Sequence, residues 1–202
     1  MAHEGLWEQL ETLDPRETAK RAGCRYLREP DRCVLTMLDA QYEVNLGDRS
    51  ISALRGDSTS ERAGFMEQLC VLAYLLNAKD IPLAEKLVKA ESLPGGQFFF
   101  RGLHSLPTEK LEKAFGDDPE GLIRASQRFD AKQCEFGDAS IRLLALPCIP
   151  LTLVIWRRDA EFDARASILF DQTAATQLPL DALGATVNLT VKTLVKAGGA
   201  SG

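Results

Sequence analysis

The period of the apolar positions changes several times along the chain, and each change predicts an element. A first helix is expected over Glu4–Glu11 and a second from Asp14-Pro15-Arg16-Glu17. There Asp14 is a capping residue, Pro15 suits the first helical position and Glu17 has capping-box spacing. Gly23 is the natural stop. Cys33–Leu38 is apolar, Tyr42, Val44 and Leu46 alternate with polar neighbours, and Ile51–Leu54 follows. This period of two predicts a three-stranded meander, turning at Asp39-Ala40 and Gly47-Asp48. The strongest helical pattern is Glu61–Leu76, where Phe65, Leu69, Leu72 and Leu76 make one face and Ser58 and Glu61 have capping-box spacing. This helix is expected at the centre of the core, with Asn77 and Pro82 bracketing its end.

Beyond it the pattern predicts a short helix at Pro82–Ala90, a break at Leu93-Pro94-Gly95-Gly96, and helices at Thr108–Phe115 and from Asp118-Pro119 onwards. Strands are expected at Lys132–Phe136, Ser140–Leu146, Leu151–Trp156 and Ser167–Phe170. Gly137-Asp138 reads as a hairpin turn, and Pro147 and Pro150 as a bend between strands. Pro179–Val195 fits a helix through Leu180, Leu183, Val187, Val191 and Leu194, although Val187, Leu189 and Val191 also alternate as a strand would. The expected whole is one α+β domain over residues 1–197, mostly antiparallel, with a disordered tail over 198–202.

With 202 residues, 45% of them hydrophobic, a substantial core can be buried. The net charge of −5, with no strongly basic segment, disfavours nucleic acid and anionic membrane surfaces as partners. The acidic N-terminal segment lacks the pattern of a signal peptide, and the longest apolar stretch, Ile149–Trp156, is too short to span a bilayer. A soluble, cytoplasmic protein is expected. Its five cysteines include no Cys-x-x-Cys pair and read as reduced thiols, with Cys70 packed in the core. No local set of four metal ligands is present, so neither a metal nor another cofactor is expected.

Three strings resemble one family: TAKRAGCRYL (Thr18–Leu27), LPGGQFFFRGLHSLP (Leu93–Pro107) and LPCIPLTLVIWRRDAEFDARASILFDQTAATQLPLDAL (Leu146–Leu183). The chain is similar to domain-of-unknown-function family 3786, a bacterial and archaeal family found mainly in anaerobes, from about residue 5 to residue 190. The resemblance implies a small α+β domain. It also implies the company of iron–sulfur or corrinoid proteins, because some relatives are joined to a four-cysteine cluster domain. This chain has no cysteine-rich segment and is expected to be the stand-alone form. The family supplies no catalytic residues to carry over.

Two segments are candidate sites. Trp156–Asp163 packs mixed charges after an apolar strand: Asp159 and Glu161 suit a base or metal ligand, and Arg157 or Arg158 suits an anion. The plain alternative is a solvated loop with Trp156 and Phe162 anchored in the core. Gly95–His104 combines two glycines, which permit positive φ or close approach to a ligand, with Arg101 and His104. Its three phenylalanines cannot all face one side, so one is available for a pocket or an interface. The alternative is a strand sandwiched between layers. Asp171, directly after an apolar strand, reads as a helix cap, with a metal ligand as the sharper alternative. Arg55-Gly56-Asp57 reads as a turn. Neither a nucleophile elbow nor a dinucleotide fingerprint is present.

The favoured function is a ligand-binding or accessory module in anaerobic metabolism, with Arg101, His104, Trp156, Asp159 and Glu161 as ligand-binding residues. The alternatives are an enzyme of unknown reaction at a pocket between the same two segments, and a scaffold dimerising through an aromatic face.

Overall fold

The structure is a computed structural model and describes residues 3–56 and 60–199. Two antiparallel five-stranded sheets and the helices between them give the expected α+β architecture. Helices α1 (Glu4–Glu11) and α2 (Pro15–Arg21) form where expected, and Asp14 Oδ1 accepts from the N–H groups of Arg16 and Glu17. The first sheet holds β1 (Arg25–Leu27), β2 (Arg32–Met37), β3 (Ala40–Asn45), β4 (Ser50–Arg55) and β5 (Glu61–Arg62) in chain order. The expected meander is therefore its centre. In β3, Ala40, Tyr42 and Val44 are buried, which is the inward half of the period of two.

The central helix, α3 (Phe65–Asn77), begins one turn later than its apolar pattern predicts. Glu61 and Arg62 instead pair with β4, and Gly64 becomes the N-cap, donating its N–H to Glu67 Oε2 at 2.7 Å. Ser58 lies outside the described residues. The buried face also differs. Phe65 is 62% exposed, whereas Cys70 through Tyr74 and Leu75 are all buried, so the second half of α3 is enclosed on every side. It packs between α1 and α8 (Leu180–Ala197), the expected C-terminal helix.

Pro82–Ala90 is not a helix. Its end forms β6 (Leu87–Lys89), which pairs with β10 (Arg165–Asp171), and the lead-in is held by Ala84 N–H donating to Asp171 Oδ1 at 3.0 Å. These partners lie far away in sequence and outweigh a local helical preference. The aromatic segment is no strand either. It is a single helical turn, α4 (Gly96–Phe99), after which α5 (Thr108–Phe115) and α6 (Glu120–Ser126) follow as expected.

The second sheet runs β6-β10-β9-β8-β7, with β7 (Lys132–Gln133) shorter than expected. At its centre, β9 (Ile149–Trp156) is buried at every position from Ile149 to Ile155. Burial on both faces explains its unbroken apolar run. The two prolines do not separate β9 from β8 (Ala139–Leu146) by a loose bend. Pro147-Cys148 is a two-residue hairpin loop, and Pro150 lies inside β9 opposite Leu144. A bulge at Ala145 makes this possible, because the register passes from Leu144↔Pro150 to Leu146↔Ile149. The Ala145 carbonyl accepts instead from Leu38 N–H at 3.1 Å, which joins the two sheets. One apolar cluster runs from Trp7 to Leu194 through both sheets. Of the expected tail, Gly198 and Gly199 still bond back to α8, and the rest lies outside the described residues.

Two buried or half-buried polar contacts lock α3 in place. Tyr74 donates its hydroxyl to Ala22 O at 2.8 Å and accepts from Cys148 N–H at 3.0 Å. Arg21 donates to the carbonyls of Leu75 and Ala78, each at 2.5 Å, at the C-terminal end of α3. Tyr74→Phe leaves a buried carbonyl and a buried N–H without that partner. It is expected to lower unfolding stability by about 1–3 kcal/mol, measured by urea denaturation.

Candidate functional site

The five residues expected to bind ligand are all exposed. Asp159 closes its own loop: its Oδ1 accepts from Glu161 N–H at 2.8 Å and Phe162 N–H at 2.7 Å. The same loop is tied to the α5–α6 turn by Arg158 N–H donating to Gly116 O, and Arg158 is ion-paired with Asp117 and Asp163. Trp156 and Phe162 are not anchored in the core; they are 40% and 65% exposed. Trp156 sits at the end of β9, opposite Arg165, whose guanidinium lies 5.9 Å from its ring centre. A polar loop that satisfies itself does not require its aromatics to be buried.

The Gly95–His104 segment is held elsewhere, on α8 and β10. Phe100 is buried against Phe170, with ring centres 6.3 Å apart, while Phe98 is 76% exposed. His104 stacks on Phe99 at 4.8 Å. The glycines have packing reasons of their own. Gly95 has φ +76°, and a Cβ on Gly96 would lie 1.9 Å from the Ala90 carbonyl oxygen. Among the described residues no hydrogen bond or ion pair joins Arg101 or His104 to Trp156, Asp159 or Glu161. A cavity of about 280 Å³ does border Phe100 and Ser105, and its opposite wall is Ala166–Ile168 of β10.

Asp171, the last residue of β10, is held by structural bonds but does not cap a helix: the N-cap of the short helix α7 (Ala174–Gln177) is Thr173, with no side-chain capping bond. The Asp171 Oδ1 accepts from Thr173 N–H at 3.0 Å and Thr173 Oγ1 at 2.6 Å, which closes a local turn, and from Ala84 N–H. Among the described residues no group of three or more His, Cys, Asp and Glu side chains is placed to hold a metal.

A further charge constellation lies at the opposite end of α8. There a cavity of about 290 Å³ opens between the β2–β3 turn, the start of α3 and the last turns of α8. Four cationic side chains, Arg55, Arg128, Lys192 and Lys196, face two carboxylates, Asp39 and Glu67. The carboxylates are engaged. Glu67 Oε1 accepts from Tyr42 Oη at 2.9 Å and from Arg55, and Asp39 is paired with Arg128. Burial pushes the Tyr42 hydroxyl pKa up, and the Glu67 carboxylate beside it adds to the rise, so the phenol keeps its proton. Lys192 and Lys196, one helical turn apart and exposed, supply the excess positive charge. Met37, Leu38 and Leu189 provide an apolar wall. The sequence reading passed over this cluster. The i, i+4 lysine pair near the end of a helix was visible, but its meeting with Arg55 and Tyr42 depends on how α8 crosses the meander.

The family model for a domain of unknown function, DUF3786, matches residues 14–193. The chain belongs to this family. Neither the curated proteins nor the solved structures contain a match to it. Among the described residues no helix is long and apolar enough to cross a membrane.

The Asp171 carboxylate makes stability depend on pH. Burial alone would raise its carboxyl pKa, but the hydrogen bonds from Thr173 and Ala84 reverse that and hold it below the ordinary value of 3.8. A depressed carboxyl pKa adds stability that is complete above its unfolded value and disappears as pH falls through the folded one. Asp171→Asn is therefore expected to flatten the loss of stability below about pH 4, measured by urea midpoints across an acid series.

Proposed function

We propose that this protein is a ligand-binding module that holds a small carboxylate- or phosphate-bearing molecule in the cavity between Arg55 and Lys196. The observation that carries this reading is the local charge. A chain with a net charge of −5 gathers four cationic side chains against two carboxylates at one concave site. Arg55 is held in place by Glu67 and Tyr42, so one guanidinium is pre-positioned, while the two lysines remain available as point charges. The apolar wall at Met37, Leu38 and Leu189 suits the carbon skeleton of such a ligand.

Binding is favoured over catalysis because, among the described residues that line the cavity, both carboxylates are already paired and the Tyr42 phenol is held protonated. An enzyme built on Arg101, His104, Asp159 and Glu161 has less support, since each segment is held by contacts of its own. A cytoplasmic setting fits the five free thiols. The company of iron–sulfur or corrinoid proteins rests on the family resemblance alone.

A thermal-shift series with inorganic phosphate and small di- and tricarboxylates tests the reading. At a ligand concentration of 100 times Kd, stabilisation of about 2.7 kcal/mol raises Tm by roughly 5–11 °C. The exposed double variant Lys192→Glu/Lys196→Glu is expected to fold normally and lose that shift. An equal shift in the variant, or no shift beyond that of chloride at matched ionic strength, overturns the reading.

A further inference from the structure

Two of the five thiols that stand apart in the sequence, Cys24 and Cys33, are brought near each other by the first sheet. In the β1–β2 register Arg25 faces Val34 and Tyr26 faces Cys33. Cys24 therefore falls on the same sheet face as Cys33, as its diagonal neighbour. The two thiols act on each other's ionisation as near neighbours do. They differ in access. Cys33 is 1% exposed, whereas Cys24 is half-buried and lines a cavity of about 400 Å³ together with Gly23, Arg25, Leu144 and Pro147. The neighbouring thiol lowers the pKa of Cys33 and raises that of Cys24, and burial adds to the rise at Cys24. The Arg21 guanidinium favours negative charge on Cys24.

We propose that Cys24 and Cys33 are a redox-active dithiol, converted to an intramolecular disulfide by a low-molecular-weight disulfide that enters the cavity beside Cys24. Cys24 gives its proton to water, leaving a thiolate that faces the cavity. It attacks one sulfur of the incoming disulfide, forms a mixed disulfide and releases one thiolate, which takes a proton from water. Cys33 then gives its proton to water and attacks Cys24 Sγ. The Cys24–Cys33 bond forms and the second small thiolate leaves to be protonated. Two protein thiols lose two electrons, and the small disulfide is reduced to two thiols. Bond formation draws the sulfurs to about 2.0 Å. The movement falls on β1, a three-residue edge strand with no buried position.

The test is peptide mapping of the folded wild-type protein after incubation with oxidised glutathione, with free thiols blocked before digestion. The expected product is a Cys24–Cys33 linked peptide, reversed by dithiothreitol, with Cys70 and Cys134 still alkylatable after unfolding. In Cys33→Ser the glutathionyl adduct is expected to stay trapped on Cys24. If that variant does not fold, the wild-type map alone decides. A predominant linkage of Cys24 to Cys148, a stable adduct confined to Cys134, or no oxidation of Cys24 and Cys33 overturns the proposal.

Discussion

The enclosure of α3 is the constraint on which the rest of the structure depends. Six consecutive residues, Cys70 to Leu75, are buried, so every side of this stretch must be covered by something else. Helices α1, α2 and α8 provide much of that cover, which sets their places. An enclosed helix still has polar ends, and those ends specify the arrangement. Arg21 takes two terminal carbonyls, and the Tyr74 hydroxyl bridges the end of α2 to the β8–β9 loop. Apolar burial drives the association without direction. The buried hydrogen bonds choose one arrangement, because any other leaves polar groups stranded.

The same logic explains how the two sheets stay together. Their interiors share one apolar cluster, but the directional link is the Ala145 carbonyl, freed by a bulge and bonded to Leu38. The bulge also admits Pro150 to a central strand. The Leu38 turn that meets it forms part of the cationic cavity, so the join between the sheets and the proposed binding site are physically continuous.

What could be read from the sequence follows from the range of the interactions. The two N-terminal helices, the meander and α8 were legible because caps and periodicity act over a few residues. The segment Pro82–Ala90 was not, since its partners are Asp171 and β10, eighty or more positions away. The start of α3 was misplaced for the same reason: Glu61 and Arg62 pair with a strand. Arg101, His104, Asp159 and Glu161 stand in conspicuous clusters of the sequence, and such clusters often satisfy one another, as Asp159 does with its own loop. The cavity residues are scattered over β3, β4, α3 and α8, so no local string announces them.

The central claim is that recognition occurs at the Arg55–Lys196 cavity. Amide chemical-shift mapping during titration with inorganic phosphate or citrate tests it most directly. The account predicts that the largest changes cluster at Leu38–Asp39, Tyr42 and Leu189–Lys196. Changes concentrated at Gly102–His104 and Asp159–Asp163, with the cavity silent, would contradict it.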